Sequence, residues 1–339
     1  MCGIIGYIGS DRNTSQIIIN GLKRLEYRGY DSVGYASLNK DNKLNVLKCK
    51  GKVKELDKKI SELSLNHLAI GHTRWATHGT PSQINSHPHI DQDNKFAIVH
   101  NGIIENYLSL KEYLISKGIS FKTDTDTEVL VQLIGYVYKQ EKISFKEAVR
   151  LALMQVVGTY GILIICSDEP NTLIAAKNGS PLLLGVKDED IFIASDASPL
   201  IEHTRNIIYL EDSEMAILKK DSYEVFSINK EVKIPKKVEE IQYSLEDIEK
   251  GHYDSFMLKE IFEQPHSIQE SLRGRINYNE SSIVLGGISE WLPRILSAKQ
   301  IYITACGTSW HASLIGSYIF EELLNIPVKV EYASEFRYR

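Results

Sequence analysis

Cys2 is the first residue whose chemistry stands out, because it follows the initiator methionine directly. With Met1 removed, the thiol and a free α-amine share one residue. An amine of pKa about 7.7–8.0 is partly neutral near pH 7 and can take the thiol proton, directly or through water. A terminal amine acting as base for its own residue's nucleophile is a known activation scheme. The plainer reading makes Cys2 a small residue beside the start codon. Arg74 lies in Gly71-His72-Thr73-Arg74-Trp75-Ala76-Thr77-His78-Gly79. Its planar fork suits bidentate binding of a carboxylate, with Thr77 and His78 adding short-range polar groups. The same run also reads as a surface loop with one long arginine and a packed tryptophan.

Three further motifs carry two readings each. Asn101-Gly102 is flanked by Phe96–Val99 and Ile103-Ile104. It spells either a type I′ hairpin turn or an oxyanion pocket built from the Asn101 amide and the Gly102 N–H. Asp126, in Thr125-Asp126-Thr127-Glu128, either complements a helix dipole or receives a substrate ammonium. Cys306-Gly307-Thr308-Ser309 sits between an expected strand and helix, where amides and hydroxyls hold anions or simply cap. His72, His78, His87, His89 and His100 crowd together. No carboxylate or cysteine stands at supporting spacing, and Pro88 makes His87-Pro88-His89 extended, so packing or gating is expected rather than zinc.

The elements that must hold these residues follow from periodicity. Ile4–Ile8 reads as a buried strand, and a helix follows from about Thr14 with Ile18, Leu22 and Leu25 on one face, stopping near Gly29. Val33–Leu38 and Leu44–Lys48 flank a hairpin; Val53, Leu56, Ile60 and Leu63 mark an amphipathic helix. Thr125-Asp126-Thr127-Glu128 and Ser144-Phe145-Lys146-Glu147 spell capping boxes with reciprocal hydroxyl and carboxylate bonds. Gly161–Cys166, Thr172–Ala176, Pro181–Val186 and Ile191–Ala194 read as a meander of antiparallel strands. Residues 229–250 hold eleven charged side chains without periodicity and read as a linker. Beyond it, Gln300–Ala305, a helix to about Leu324 and Val328–Glu331 begin a βαβ unit that closes as the chain ends, which suggests a truncated chain.

Composition bounds the rest. The 339 residues suggest about two domains, and 43% apolar with 24% charged residues is an ordinary globular mixture. A net charge of −5 without a basic stripe argues against nucleic acid. Four scattered cysteines suit a reducing compartment better than a disulfide scaffold or structural zinc. The uncharged stretch Leu151–Ser167 is interrupted by Gln155 and Gly158-Thr159-Tyr160-Gly161, short for a membrane span. With no signal peptide in the opening residues, a soluble, cytoplasmic protein is expected.

Cys2-Gly3-Ile4-Ile5-Gly6 resembles the opening of the N-terminal nucleophile (class II) glutamine amidotransferases. Leu25–Ser32, His72–Gly79, His100–Asn106 and Thr125–Glu128 narrow the resemblance to the branch that makes an amino-sugar phosphate. Glu260–Pro265, Ala305–Ser309 and Ala333–Arg339 carry it into the sugar isomerase (SIS) domain. The resemblance implies an α+β four-layer αββα sandwich over residues 2–228, a linker at 229–250, and a partial α/β doubly wound SIS domain at 251–339. It implies that Cys2 attacks the glutamine side-chain amide, with Asn101 and Gly102 holding the tetrahedral intermediate. Arg74 would grip the α-carboxylate and Asp126 the α-ammonium, with Thr77, His78 and Gly102 lining the pocket. Trp75 matches a gate to an ammonia channel, His87 a position near a loop hinge, and Arg28 one near the nucleophile. Thr308 and Ser309 match part of a sugar-phosphate cradle. No metal or cofactor is implied. Glutamine and fructose 6-phosphate are the implied ligands, and the full-length relatives are expected to be homodimers without nucleic-acid or membrane partners. A chain of this length is expected to hydrolyse glutamine only; the alternative is a catalytically silent, sugar-phosphate-sensing or regulatory fragment. Another amidotransferase, of the amidophosphoribosyl or asparagine-forming type, is the rival enzyme.

Overall fold

The structure is a computed structural model that describes residues 2–10, 13–60, 67–75, 82–241, 251–277, 281–336 and 338. Contacts divide the chain into two units, Met1–Glu249 and Lys250–Arg339. In chain order the first unit contains β1 (Gly3–Ile8), α1 (Thr14–Leu25), β2 (Ser32–Leu38), β3 (Leu44–Lys50) and α2 (Val53–Ile60). Next come β4 (Leu68–Arg74), β5 (His89–Ile90), β6 (Phe96–Ile104), α3 (Tyr107–Ser116), α4 (Asp126–Glu141) and α5 (Phe145–Leu153). The remainder is β7 (Gly158–Cys166), β8 (Leu173–Asn178), β9 (Leu183–Lys187), β10 (Asp190–Ala194), β11 (Asn206–Tyr209), β12 (Glu214–Lys219), β13 (Ser222–Ser227), β14 (Lys233–Ile234) and β15 (Glu239–Glu240). Leu63, expected on the face of α2, lies outside the described residues.

The strands form two sheets, ordered β15-β11-β9-β10-β1-β4-β2-β3 and β14-β13-β12-β8-β7-β6-β5. Three apolar layers bind them. Ile4, Ile8, Ile70, Val99, Leu163 and Ile193 belong to a buried layer drawn from both sheets. Ile18, Leu22 and Leu56 bury the helices α1 and α2 against the outer face of the first sheet. Leu114, Leu133, Phe145 and Val149 do the same for α3, α4 and α5 on the second. Each sheet is therefore apolar on both faces, and the order is helix, sheet, sheet, helix, the αββα sandwich the resemblance implies.

Local sequence reading meets three exceptions. The expected meander is divided: β7 and β8 lie in one sheet, whereas β9 and β10 lie in the other. The stretch read as a linker supplies β14 beside β13 and β15 beside β11. Only half of the Thr125 capping box forms. Thr125 Oγ1 accepts from the Glu128 N–H at 3.2 Å, but the Glu128 carboxylate turns to the Lys122 and Thr123 amides. At Ser144, likewise, Oγ accepts from the Glu147 N–H while the Glu147 carboxylate pairs with Arg150. Glu128 thereby accepts from two backbone amides rather than one, and Glu147 gains a charged partner.

The second unit begins with α6 (Phe256–Leu272), capped by Ser255, whose Oγ accepts from the Leu258 N–H at 3.2 Å. The short strands β16 (Ile276–Asn277) and β17 (Ser282–Ile283) form a hairpin, followed by α7 (Leu292–Leu296). Then β18 (Ile301–Ala305), α8 (Gly307–Leu324) and β19 (Val328–Tyr332) make the expected βαβ with parallel strands, and α9 (Ala333–Phe336) follows.

Candidate active site

Cys2 precedes β1, whose neighbours on either side are β4 and β10. Gly3 pairs with Thr73, and a Cβ on Gly3 would stand 2.6 Å from both the Leu25 Cβ and Thr73 Oγ1. Glycine at that position lets the Cys2 segment lie against the end of α1. The Cys2 Sγ accepts from the Trp75 N–H at 3.2 Å and donates to the Trp75 carbonyl at 3.4 Å. Burial pushes the thiol pKa up, with the Trp75 N–H and the Arg74 charge pulling the other way.

A cavity of about 320 Å³ opens at Cys2, lined among others by Arg28, Arg74, Trp75, Asn101, Gly102 and Asp126. That volume is at the low end of small-molecule sites, roughly 300–1,000 Å³, and suits an amino-acid-sized ligand. Arg74 ends β4 and is only 4% exposed. Burial lowers its pKa, and the nearby Cys2, Asp126 and Asp31 oppose that shift. Asp126 opens α4 and is buried, with Oδ2 accepting from the Ile104 N–H at 2.8 Å. One buried cation and one buried anion in a small cavity are complementary to a zwitterion.

Asn101 and Gly102 do not form a turn. Both lie inside β6, paired with Gly161 and Tyr160 of β7. Gly102 has φ +135°, and a Cβ there would stand 2.1 Å from the Thr159 carbonyl oxygen. Only glycine fits that conformation and that approach. The hairpin signal of Asn-Gly is thus spent on a strained point inside a nine-residue strand. Asn101 Nδ2 donates to the Cys2 carbonyl at 3.0 Å, tying the Cys2 backbone to the second sheet. The N–H groups of His100 and Ile104 donate to His87 Nδ1 and Asp126 respectively, away from β7. Alternation along the strand aims the Gly102 N–H toward that same edge.

The crowded histidines are a packed cluster. The His72 and His87 ring centroids are 4.1 Å apart, and those of His87 and His89 are 4.8 Å apart. Burial drives the His72 pKa down to about 3 and pushes His87 and His89 well below the usual value. His72, His87 and His89 are therefore neutral, and His100 Nδ1 lies 2.9 Å from Thr127 Oγ1. Among the described residues no three His, Cys, Asp or Glu side chains are grouped as metal ligands would be.

Of the other expected positions, Arg28 lines the cavity and is paired with Asp196, while its Nε donates to the Tyr27 hydroxyl at 3.0 Å. Trp75 is 44% exposed, edge-on to Tyr30 at 5.4 Å. His87 also lines the cavity. Thr77 and His78 lie outside the described residues. Thr308 and Ser309 occupy the first turn of α8 in the other unit, both exposed. Sequence reasoning passed over Thr125, Thr127, Thr159 and Ser180, which add polar atoms to the wall. The first two were visible only as capping residues, and Thr159 and Ser180 carried no local signal.

Residues 72–202 match the glutamine amidotransferase domain family, and residues 294–339 match the SIS domain family. The first unit carries a glutamine amidotransferase domain. The whole chain is 51% identical to the glutamine–fructose-6-phosphate aminotransferase (isomerizing) of Chlorobaculum tepidum, covering 55% of that protein. It is 48% identical to the protein of that name from Bacteroides thetaiotaomicron, again covering 55%. The chain thus spans about half the length of the curated relatives it matches. A solved structure described as the allosteric regulatory enzyme of purine biosynthesis aligns with a TM-score of 0.58 at 28% identity, over 67% of this chain and 49% of that one. A glutamine phosphoribosylpyrophosphate amidotransferase from B. subtilis shares the fold, with a TM-score of 0.59 at 23% identity, over 97% of this chain and 65% of the other. The glutamine amidotransferase domain thus has the N-terminal nucleophile fold and is followed by part of an SIS domain. No helix among the described residues is long and apolar enough to cross a membrane.

Proposed function

We propose that this chain hydrolyses glutamine at Cys2, and that the ammonia so released feeds a fructose-6-phosphate aminotransferase reaction completed by a longer protein. The observation that carries the reading is the shared cavity of Cys2, Asn101, Gly102, Arg74 and Asp126. Arg74 receives the glutamine α-carboxylate as a fork, and Asp126 receives the α-ammonium. With Met1 removed, the Cys2 α-amine takes the thiol proton and the thiolate attacks the side-chain amide carbon. The oxyanion forms between Asn101 Nδ2, which has a second hydrogen beyond the one given to the Cys2 carbonyl, and the Gly102 N–H. The protonated amine passes its proton to the leaving nitrogen, and ammonia departs. Water, deprotonated by the same amine, then hydrolyses the γ-glutamyl thioester to glutamate and restores the thiol.

Thr77 and His78 complete the glutamine pocket in this proposal; Trp75 gates ammonia exit, His87 supports the loop between them, and Arg28 faces the nucleophile. Thr308 and Ser309 supply part of a sugar-phosphate cradle. Fructose 6-phosphate as the acceptor belongs to the same proposal and is supported by the names of the relatives. A homodimeric assembly and a cytoplasmic setting belong to it too and rest on the sequence resemblance alone.

The test is ammonia and glutamate production from glutamine by the full chain and by Cys2→Ala, with intact mass measured before and after a glutamine-shaped electrophile. Loss of Met1, a single adduct on Cys2 and no turnover by Cys2→Ala are expected. Equal turnover by the variant would refute Cys2 as nucleophile. No turnover by either chain, with sugar phosphate still bound, would favour a silent sensing fragment.

A further inference from the structure

His72 sits in β4, paired with Ile4 of β1 and Gly34 of β2, and is completely buried. Its Nε2 lies 3.0 Å from the His100 carbonyl oxygen and 3.0 Å from Asn101 Oδ1. A carbonyl only accepts, so Nε2 must carry a hydrogen and donate to both. The ring is neutral at this depth, which leaves Nδ1 as a bare lone pair, and that buried nitrogen has no hydrogen-bond partner among the described residues. A bare lone pair is the form in which an unpaired ring nitrogen is least costly.

The same bookkeeping fixes the Asn101 amide. Its other end faces the Cys2 carbonyl, which also only accepts. If the amide were flipped, two oxygens would face each other at the Cys2 side. At the other side the amide nitrogen would meet an Nε2–H already committed to His100. One orientation satisfies all four groups, and only if position 72 presents a donor at the Nε2 position. An asparagine side chain has two nearly equivalent settings of its terminal torsion. Something must choose between them.

We propose that His72 is the positioning residue of the oxyanion pocket, its Nε2–H locking the Asn101 carboxamide with Nδ2 turned toward the nucleophile. This rests on the reading of Cys2 and Asn101 given above. His72 itself touches no substrate. It acts through Asn101, from the β4 strand that also delivers Arg74 to the cavity.

The experiment compares glutamine hydrolysis by the full chain carrying His72→Leu, His72→Gln or His72→Asn. Glutamine presents an amide N–H near the Nε2 position, whereas asparagine presents one near Nδ1. His72→Leu and His72→Asn are expected to lower kcat by about 10- to 100-fold, less than outright loss of an oxyanion donor. Glutamine KM should stay within about threefold, because Arg74 and Asp126 are untouched. His72→Gln should recover most of the loss. Alkylation of Cys2 by a small haloacetamide, which forms no oxyanion, should proceed at the parental rate in all three when followed on the Cys2 peptide, apart from the exposed Cys306. If His72→Leu does not fold, the Gln–Asn contrast decides alone, in equally polar settings. Equal kcat for the Gln and Asn variants, or parallel loss of kcat, KM and alkylation rate, would overturn the proposal. Should parental turnover survive Cys2→Ala, the underlying reading falls instead, and the two failures are told apart.

Discussion

Gly102→Ala tests the strand geometry and the chemistry together. The new Cβ would stand 2.1 Å from the Thr159 carbonyl oxygen, 2.7 Å from its carbon and 3.0 Å from His100 Nε2. The first two are backbone atoms of the paired strand region and cannot rotate away. At φ +135° an alanine also pays for a conformation that is nearly glycine-only, about 1–3 kcal/mol. Relieving the overlap by shifting β6 adds about 1–3 kcal/mol. The sum, roughly 2–6 kcal/mol, is below the stability of most domains, about 5–15 kcal/mol, and lowers the melting temperature by about 4–24 °C. The shift displaces the Gly102 N–H from the oxyanion position, so kcat should fall on the order of 100-fold or more. Coupled detection of glutamate and a thermal melt measure both. A variant that melts within a degree of the parent refutes the steric argument. One that melts early yet keeps kcat within threefold refutes the role of Gly102 in catalysis.

Two other substitutions separate charge from structure. Asp126→Asn keeps an oxygen for the Ile104 N–H but removes the partner of the substrate ammonium. Glutamine KM should rise about 10- to 100-fold, kcat should change less, and the melting temperature should move little, since one helix-dipole charge contributes only about 0.3–1 kcal/mol. Lys48 is half-buried beside Ile84, to whose carbonyl it donates at 3.3 Å, and burial lowers its pKa to about 8. The folded state thus holds fewer protons than the unfolded chain between about pH 8 and 10.5, and this residue's penalty is full below pH 8 and fades as pH rises through that window. Lys48→Met should therefore stabilise the domain on the order of 1–3 kcal/mol at pH 7, with the gain shrinking toward pH 10.5; denaturant melts at both ends check it.

Much of the frame was legible because it is local. Ile4–Ile8, the α1 stripe and the Thr125 and Ser144 caps announce themselves within a few residues, and the βαβ around Cys306 does too. Most of the failures are decisions made at long range. Strand signals in 161–194 do not say which sheet each strand joins, so the crossing between β8 and β9 was invisible. α3 went unread because only Leu110 and Leu114 of its ten residues are buried, too few to set a period. Asn101-Gly102 carries the same letters whether it turns or runs straight; what decides is Thr159 across the ladder. Among the candidate residues, Cys2, Arg74, Asn101, Gly102 and Asp126 are brought to one cavity, while the work of His72 could be seen only once its two acceptors were in place. Any labelling of Cys2 needs a substrate-shaped reagent or peptide mapping, because Cys306 is exposed whereas Cys49 and Cys166 are buried.

The proposed nucleophile and its proposed oxyanion donors are carried by different sheets. Cys2 and Arg74 flank strands of the first; Asn101 and Gly102 lie within a strand of the second. The layer between the sheets is aliphatic, and such contacts resist separation far better than they resist sliding. Registration between the two halves of the site therefore falls to directional bonds that cross it, among them Asn101 to the Cys2 carbonyl and His72 to Asn101 and to the His100 carbonyl. The domain behaves as a pair of plates on a greased bearing with a dowel at the site of reaction. Slippage of a fraction of an ångström would disarm the site while leaving the fold's melting behaviour nearly untouched.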